Sequence, residues 1–535
     1  MRRLSPERSA TSAFVSSVWG AGLVVAGAAV GCLVLFDNKS FLDAAIQSDS
    51  LQLASAVWDY SSHDYAWAGL ELARAPSIVP DLLVYGAIQL ATGSWRLASL
   101  GYGGASLLAF AALAGLIVRD ITGCARRAGA QAALLLALAV LLLELPITAA
   151  SRHLVLLLPS HHGGSFILSL AALSVARGWL MQPKGPTLVV LLGLVIAGVL
   201  SDVLFVITGV GALLAVLAWM SLRRRIGLAR LGLMLGCLAV GIAGARGLDR
   251  LLIREPMPAI DWESVPARAH AFLSSLVELA AGAPLTVLLA DAVPLMALVV
   301  YPLVAGRKSK GDGAIEAVEF WWVASAGSVL ASVLAMPLHY EDLASYRYAT
   351  ALLWWPPIWA AAGLTRWAGW ARGSVVATAL GGVAVVLAFA YFWPGPHVPA
   401  LLSLPRPLEA CLVEGERFAG LKAGLADYWR ARTVEASSDW RLQVDQIDRV
   451  GAALYWGNDR FWYGHDIHDG ARAPEYNYIV MAGLDEGAIA LHYGAPSRTL
   501  DCGGVAVWIY DDAASVRRAL VSLSPVLSAA NKSDR

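Results

Sequence analysis

Five aspartates, Asp37, Asp43, Asp49, Asp59 and Asp64, crowd into FDNKSFLDAAIQSDSLQLASAVWDYSSHDY, and Asp81 follows in PSIVPDLLVY. A carboxylate at the edge of an apolar environment can take a proton from a hydroxyl, the work of a general base. Aspartates on a solvated helix face would give the same pattern, so both readings stay open. A second cluster lies in SRHLVLLLPSHHGGSF, where His161 and His162 precede Gly163-Gly164 at a predicted helix start. Imidazoles beside a helix N-terminus suit a phosphate, and a polar helix cap is the alternative. Ser201-Asp202 falls at a turn between two apolar runs, where an aspartate either caps the next helix or serves function. The stretch MPLHYEDLASYRYAT offers His339, Glu341, Asp342, Tyr346 and Arg347 together. An arginine between two tyrosines fits bidentate contact with a phosphate, and snorkelling to lipid headgroups is the other use for it.

These residues need a scaffold, and the composition says which kind. The 535 residues are 58% hydrophobic and 15% charged, with a mean hydropathy of +0.60. A soluble domain carries about 25% charged residues, so this composition predicts a polytopic membrane protein. Forty basic residues balance forty acidic ones, which excludes a nucleic-acid binder acting through net positive charge. Apolar runs predict about eleven spans, near 14–36, 97–118, 130–150, 164–180, 186–200, 203–222, 229–245, 283–304, 316–337, 347–370 and 374–393. Arg and Lys fall in every second loop, among them Arg119, Arg126, Arg223, Arg224, Arg225 and Lys308. The positive-inside rule then places the N-terminus in the cytoplasm and the C-terminus outside.

On that topology the outer face receives the first loop, 37–96, as amphipathic helices lying flat on the bilayer, and the tail 394–535 as an α/β domain. A helical pattern from Ala410 to Ala431 is expected to open that domain. Strand-like runs follow at Leu442–Val444, Ala452–Trp456, Tyr478–Met481 and Val505–Tyr510. Five cysteines are scattered, without metal-ligand spacing. Cys411 and Cys502, both outside on this topology, are expected to pair. Trp429, Trp440, Trp456, Trp462 and Trp508 could stack on sugar rings or form core.

Spans, long acidic outer loop and outer C-terminal domain together resemble the GT-C class of membrane glycosyltransferases. That class includes protein O-mannosyltransferases, oligosaccharyltransferases and lipid A aminoarabinose transferases. The chain also resembles a group of bacterial membrane proteins through Ser48-Asp49, Pro80-Asp81 with Tyr85, Ser201-Asp202, Tyr428-Trp429 and Cys502-Gly503-Gly504. The resemblance implies a bacterial inner-membrane transferase that moves a sugar from a polyprenyl-phosphate donor to a glycan, lipid or protein acceptor. It maps the acidic catalytic residue, a base that would deprotonate the acceptor hydroxyl, onto Asp49, with Asp43 in reserve. Arg347, His161, His162 and Tyr346 become the expected contacts of the donor phosphate. Asp81, Asp202, His339, Glu341, Asp342 and Trp67 complete the candidates. A divalent metal is compatible with this class, and no nucleic acid is expected. A transporter or flippase, and a non-catalytic envelope assembly protein, are the alternative functions.

Overall fold

The computed structural model describes residues 22, 25–37, 42, 46–62, 70–144, 152–252, 261–282, 295–296, 298–300, 312–340, 343–368, 407–467 and 472–524. Among them, four helices are long and apolar enough to cross a membrane: Trp95–Thr122, Gly163–Met181, Leu228–Asp249 and Glu316–Leu338. Shorter apolar helices lie at Val25–Leu35, Ile78–Thr92, Ala128–Leu141, Gly185–Ser201 and Val206–Leu222. Helices therefore coincide with most expected spans, but among the described residues only these four are both long and apolar enough for a crossing. The expected span at 374–393 lies outside the described residues, as does most of 283–304.

Local sequence explains the helix ends. Helix α2 (Leu83–Thr92) stops at Gly93 with φ 65°. In α3 (Trp95–Thr122), the Ser94 hydroxyl caps the start by accepting from the Leu97 amide, and Gly123 ends the helix at φ 71°. Helix α4 (Gly163–Met181) packs against α5 (Gly185–Ser201), and Phe110, Trp354 and Trp355 fill the interior between neighbouring helices.

The first-loop helix α1 (Ser48–Ser62) departs from expectation. Ser48, Asp49, Ser50, Leu51 and Leu53 to Val57 are all buried, so α1 is not a surface helix with one face in water. It is wedged between α2 and the C-terminal helix α6 (Tyr428–Ser437). Polar groups at these junctions find partners across the gap. Gln89 donates to the Ala54 carbonyl at 3.1 Å, Ser48 donates to the Tyr428 carbonyl, and the Trp95 indole donates to the Ala436 carbonyl at 2.7 Å.

The C-terminal region carries a five-stranded sheet in the order β3-β2-β5-β7-β6. Its strands are β2 (Ala423–Asp427), β3 (Gln443–Ile447), β5 (Tyr476–Val480), β6 (Arg498–Asp501) and β7 (Ala506–Ile509). Strand β2 runs parallel to β3 and β5, and β7 is antiparallel to β5 and β6. A short antiparallel pair, β1 (Leu70–Glu71) with β4 (Asn458–Asp459), ties the first loop to this region.

Two sequence expectations are corrected here. The pattern from Ala410 to Ala431 is not one helix: a helix ends at Phe418, Gly420 turns at φ 67°, and 423–427 enter the sheet as an interior strand. A strand buried on both faces loses the alternation that marks strands in sequence, which is why AGLAD passed for helix. Ala452–Trp456 makes only an isolated bridge from Ala453 to Ile447, while Arg498–Asp501 supplies a strand that the pattern missed. Cys411 and Cys502 form a disulfide, with Cα atoms 5.5 Å apart.

Candidate active site

Four remote segments are knotted together beside the buried end of α1. The Ser77 amide donates to the Ser201 carbonyl at 2.9 Å, and the Val79 amide donates to the Ser201 hydroxyl at 2.7 Å. Asp81 accepts from the Tyr102 hydroxyl at 2.7 Å and from the Ser160 amide at 2.9 Å. Gly164 makes this approach possible: a Cβ there would stand 1.8 Å from Asp81 Oδ1. Gly163 is equally constrained, with the Val155 carbonyl oxygen 2.4 Å from where a Cβ would stand. Gly164 thus admits a carboxylate under the first turn of α4, and Gly163 admits the backbone of Val155 and Leu156.

Backbone strain concentrates at the same place. Ser77, Ser160 and His162 hold φ values of 50°, 63° and 69°, in the left-handed region that side chains other than glycine rarely occupy. Each such residue costs of order 1–3 kcal/mol, and persists only where surrounding contacts fix it.

Asp49, only 5% exposed, has both oxygens engaged. Oδ2 is ion-paired with Nη1 of Arg347, and Oδ1 accepts from the Tyr428 hydroxyl at 2.6 Å. Burial pushes the Asp49 carboxyl up, but the charge of Arg347 and the Tyr428 hydroxyl outweigh it and hold the group below its ordinary value. A carboxylate so occupied is a weak proton acceptor. Arg347 also donates to the Tyr348 hydroxyl at 3.3 Å and lies over that ring at 5.3 Å. Its side chain remains 23% exposed, although Nε is buried.

The two histidines differ. His161 Nδ1 lies 2.9 Å from the Pro159 carbonyl, which can only accept, so Nδ1 carries the hydrogen. Its Nε2, 2.8 Å from the Gln47 amide nitrogen, is then the acceptor. Burial lowers its pKa to about 4, so the ring is neutral near pH 7 with both nitrogens occupied. His162 Nδ1 lies 2.7 Å from Asp202 Oδ2, while Asp202 Oδ1 accepts from the Leu204 amide at 2.9 Å. Asp202 is therefore a helix cap and a histidine partner at once, and the two readings left open by the sequence are compatible. The His162 ring packs 5.0 Å from Tyr348, which links this pair to Arg347.

Of the expected site residues, Asp49, Arg347, His161, His162, Asp81 and Asp202 converge here. Tyr346 does not: it turns into a small core beside Phe272 and Tyr340 and bonds the Ser275 hydroxyl at 3.1 Å. Tyr348 takes the place beside Arg347, because the 3-10 turn Leu343–Ala349 sends Tyr346 into that core and Tyr348 toward His162. Asp43, Trp67, Glu341 and Asp342 lie outside the described residues, and of His339 only the backbone is described. Gln47, Tyr102 and Tyr428 join the centre without having been singled out for it. Tyr428 stands 379 positions from Asp49, and no local spacing marks that contact. Among the described residues, no group of three His, Cys, Asp or Glu side chains is arranged to hold a metal ion. Trp440 stacks on Trp58 at 5.0 Å and Trp456 on Tyr428 at 4.4 Å, so these two indoles serve packing, whereas Trp429 is 46% exposed.

No protein-family model matches the chain, and no curated protein matches it. The apolar helices and the buried polar knot define the class of molecule: a largely helical protein with helices able to cross a membrane, a small mixed sheet at its C-terminal end, and one strained ionic centre between them.

Proposed function

We propose that this chain is an inner-membrane glycosyltransferase that moves a sugar from a polyprenyl-phosphate donor to an acceptor hydroxyl at the outer face. The acceptor is an envelope glycan, lipid or protein, and displacement at the anomeric carbon is in line and inverting. The observation that carries this reading is Arg347, a partly exposed arginine paired with the buried Asp49, which the Tyr428 hydroxyl holds in turn, and donating to the Tyr348 hydroxyl. A lipid-linked phosphate competes for that guanidinium with two oxygens in the matching fork geometry. Arg347 offsets the charge that develops on the departing phosphate. Asp49, released from Arg347 as the phosphate arrives, faces the positive charge developing at the anomeric carbon. The apolar helices accommodate the polyprenyl chain, and the C-terminal region, joined to α1 through Tyr428, shapes the acceptor side.

The test is transfer by purified protein in liposomes supplied with polyprenyl-phosphate sugars, alongside mass spectrometry of envelope glycans from a deletion strain. Wild type restores a sugar mass that Arg347→Gln and Asp49→Asn do not, at equal membrane levels. No change in any glycan on deletion, together with no transfer in liposomes, overturns the reading in favour of transport or assembly.

A further inference from the structure

An inverting transfer needs a group to take the acceptor proton, and Asp49, assigned above to the charge at the anomeric carbon and bonded at Oδ1 by the Tyr428 hydroxyl, does not do that work as well. We propose that the proton acceptor is His162 Nε2, with Asp202 as the residue that positions the ring. The proposal rests on the transferase reading above and assigns a role at the same site.

The geometry is that of an imidazole held from behind. A carboxylate oxygen can only accept, so Asp202 Oδ2 fixes the hydrogen on His162 Nδ1 and leaves the lone pair on Nε2. Nε2 has no hydrogen-bond partner among the described residues, in contrast with His161, whose two nitrogens are both used. Asp202 is itself immobilised by the Leu204 amide, and the Ser201 carbonyl and hydroxyl tie its turn to Ser77 and Val79. The strained φ of 69° at His162 is a further sign that the ring is held where folding alone would not put it. Tyr348 packs against the ring and accepts from Arg347, which connects the His162 pair to the proposed phosphate contact.

The step balances without another reactant. The acceptor O–H bond breaks and its proton passes to Nε2, giving an imidazolium opposed by the Asp202 carboxylate. The freed oxygen pair forms the new bond to the anomeric carbon. The bond from that carbon to the phosphate oxygen breaks, and its electron pair leaves with the lipid phosphate on Arg347. Water then removes the proton from Nε2. The ionisable groups near His162 are Asp202 on its own hydrogen bond, Tyr348 on the ring, and His161, Asp81, Asp49 and Arg347 in the surrounding knot.

The left-handed backbone at 162 supplies the experiment, because glycine occupies that conformation without strain. His162→Gly keeps the fold and leaves a space for an imidazole molecule. In the liposome assay the variant loses about 10²–10⁴-fold in transfer rate, the usual contribution of a general base. Added imidazole restores part of the rate, and the restored rate follows the pH titration of free imidazole. Asp202→Asn lowers the rate by freeing the other tautomer, and Asp202→Glu recovers part of it. Loss in His162→Gly without imidazole rescue, or an unchanged rate, overturns the proposal while wild-type transfer leaves the transferase reading standing. If wild type transfers no sugar, diethyl pyrocarbonate decides about the ring. Selective modification of His162 over His161, abolished in Asp202→Asn, upholds the assignment of Nε2. Equal or absent modification overturns it.

Discussion

Two arginines, one buried and one half-buried, anchor two different regions, and they are used differently. Arg432, in α6, is 2% exposed, donates to Glu435 at 2.8 Å and to Asn458, and lies 4.1 Å from the Trp462 ring. Asp59 of α1 and Asp445 of β3 add their charge to its surroundings. Arg347 is paired with one carboxylate and remains 23% exposed. The first is sealed and joins α1 to the sheet region; the second can exchange its partner for a ligand. An arginine's burial, more than its ion pair, separates scaffold from site. Left-handed backbone occurs near both, at Ser77, Ser160 and His162 in the knot and at Asp439 and Trp440 after α6, but only in the knot is a histidine nitrogen unpaired among the described residues.

Breaking the sealed centre should be the costlier change to stability. Arg432→Met leaves the buried Glu435 without its ion-pair partner, and such losses cost about 3–5 kcal/mol. Chemical denaturation followed by tryptophan fluorescence measures it, and the Arg432→Met/Glu435→Leu pair should recover part of the loss. If the single variant is as stable as wild type, the sealed centre contributes nothing. At Arg347 the order reverses: Arg347→Gln should lower transfer by about 10²–10³-fold, comparable to removing an oxyanion donor, with a smaller stability change than Arg432→Met. Equal stability losses at the two arginines would erase the distinction.

Reducing the disulfide tests whether the sheet region needs its covalent tie. Cys411 and Cys502 close a loop of 91 residues, and losing such a bridge costs about 2–5 kcal/mol. Comparing unfolding of wild type with Cys411→Ser/Cys502→Ser measures the difference. Gly164→Ala, by pressing a methyl group onto Asp81, should cost about 1–3 kcal/mol and disturb the His162 turn with it. A fully active and stable Gly164→Ala variant would mean the knot is more tolerant than its spacing implies.

The smallest effect expected is one of pH. Burial raises Asp445 to about 6 and Asp59 well above its ordinary value. A carboxyl whose folded value lies above its unfolded one favours the folded state most while protonated. That contribution is complete below about pH 4 and is lost as pH rises through 6. Protease sensitivity of the α1 junction should therefore increase from pH 5 to pH 7, and Asp445→Asn should flatten the change. A junction that tightens over that range would contradict the sign.

The division between sequence and tertiary structure follows from the range of the forces. Periodicity and apolar content act over a few residues, so the helices at 95–122, 163–181 and 228–249 and their glycine stops were legible in the chain. The chemistry-bearing residues were legible one by one, as Asp49, His161, His162, Asp202 and Arg347. Their pairing was not. Two adjacent histidines look alike in sequence, yet Gln47 and the Pro159 carbonyl occupy one while Asp202 leaves the other with an open nitrogen. The same holds for α1, whose amphipathic pattern suggested a surface helix until helix and sheet region closed over it. Strand β2 hides in an apolar run because both its faces are covered by partners far away in the chain. Residue type and spacing thus determined which groups are present and which segments are helical. The tertiary fold decided which oxygen meets which nitrogen, because those contacts span up to 380 residues and depend on shape at the scale of one hydrogen bond.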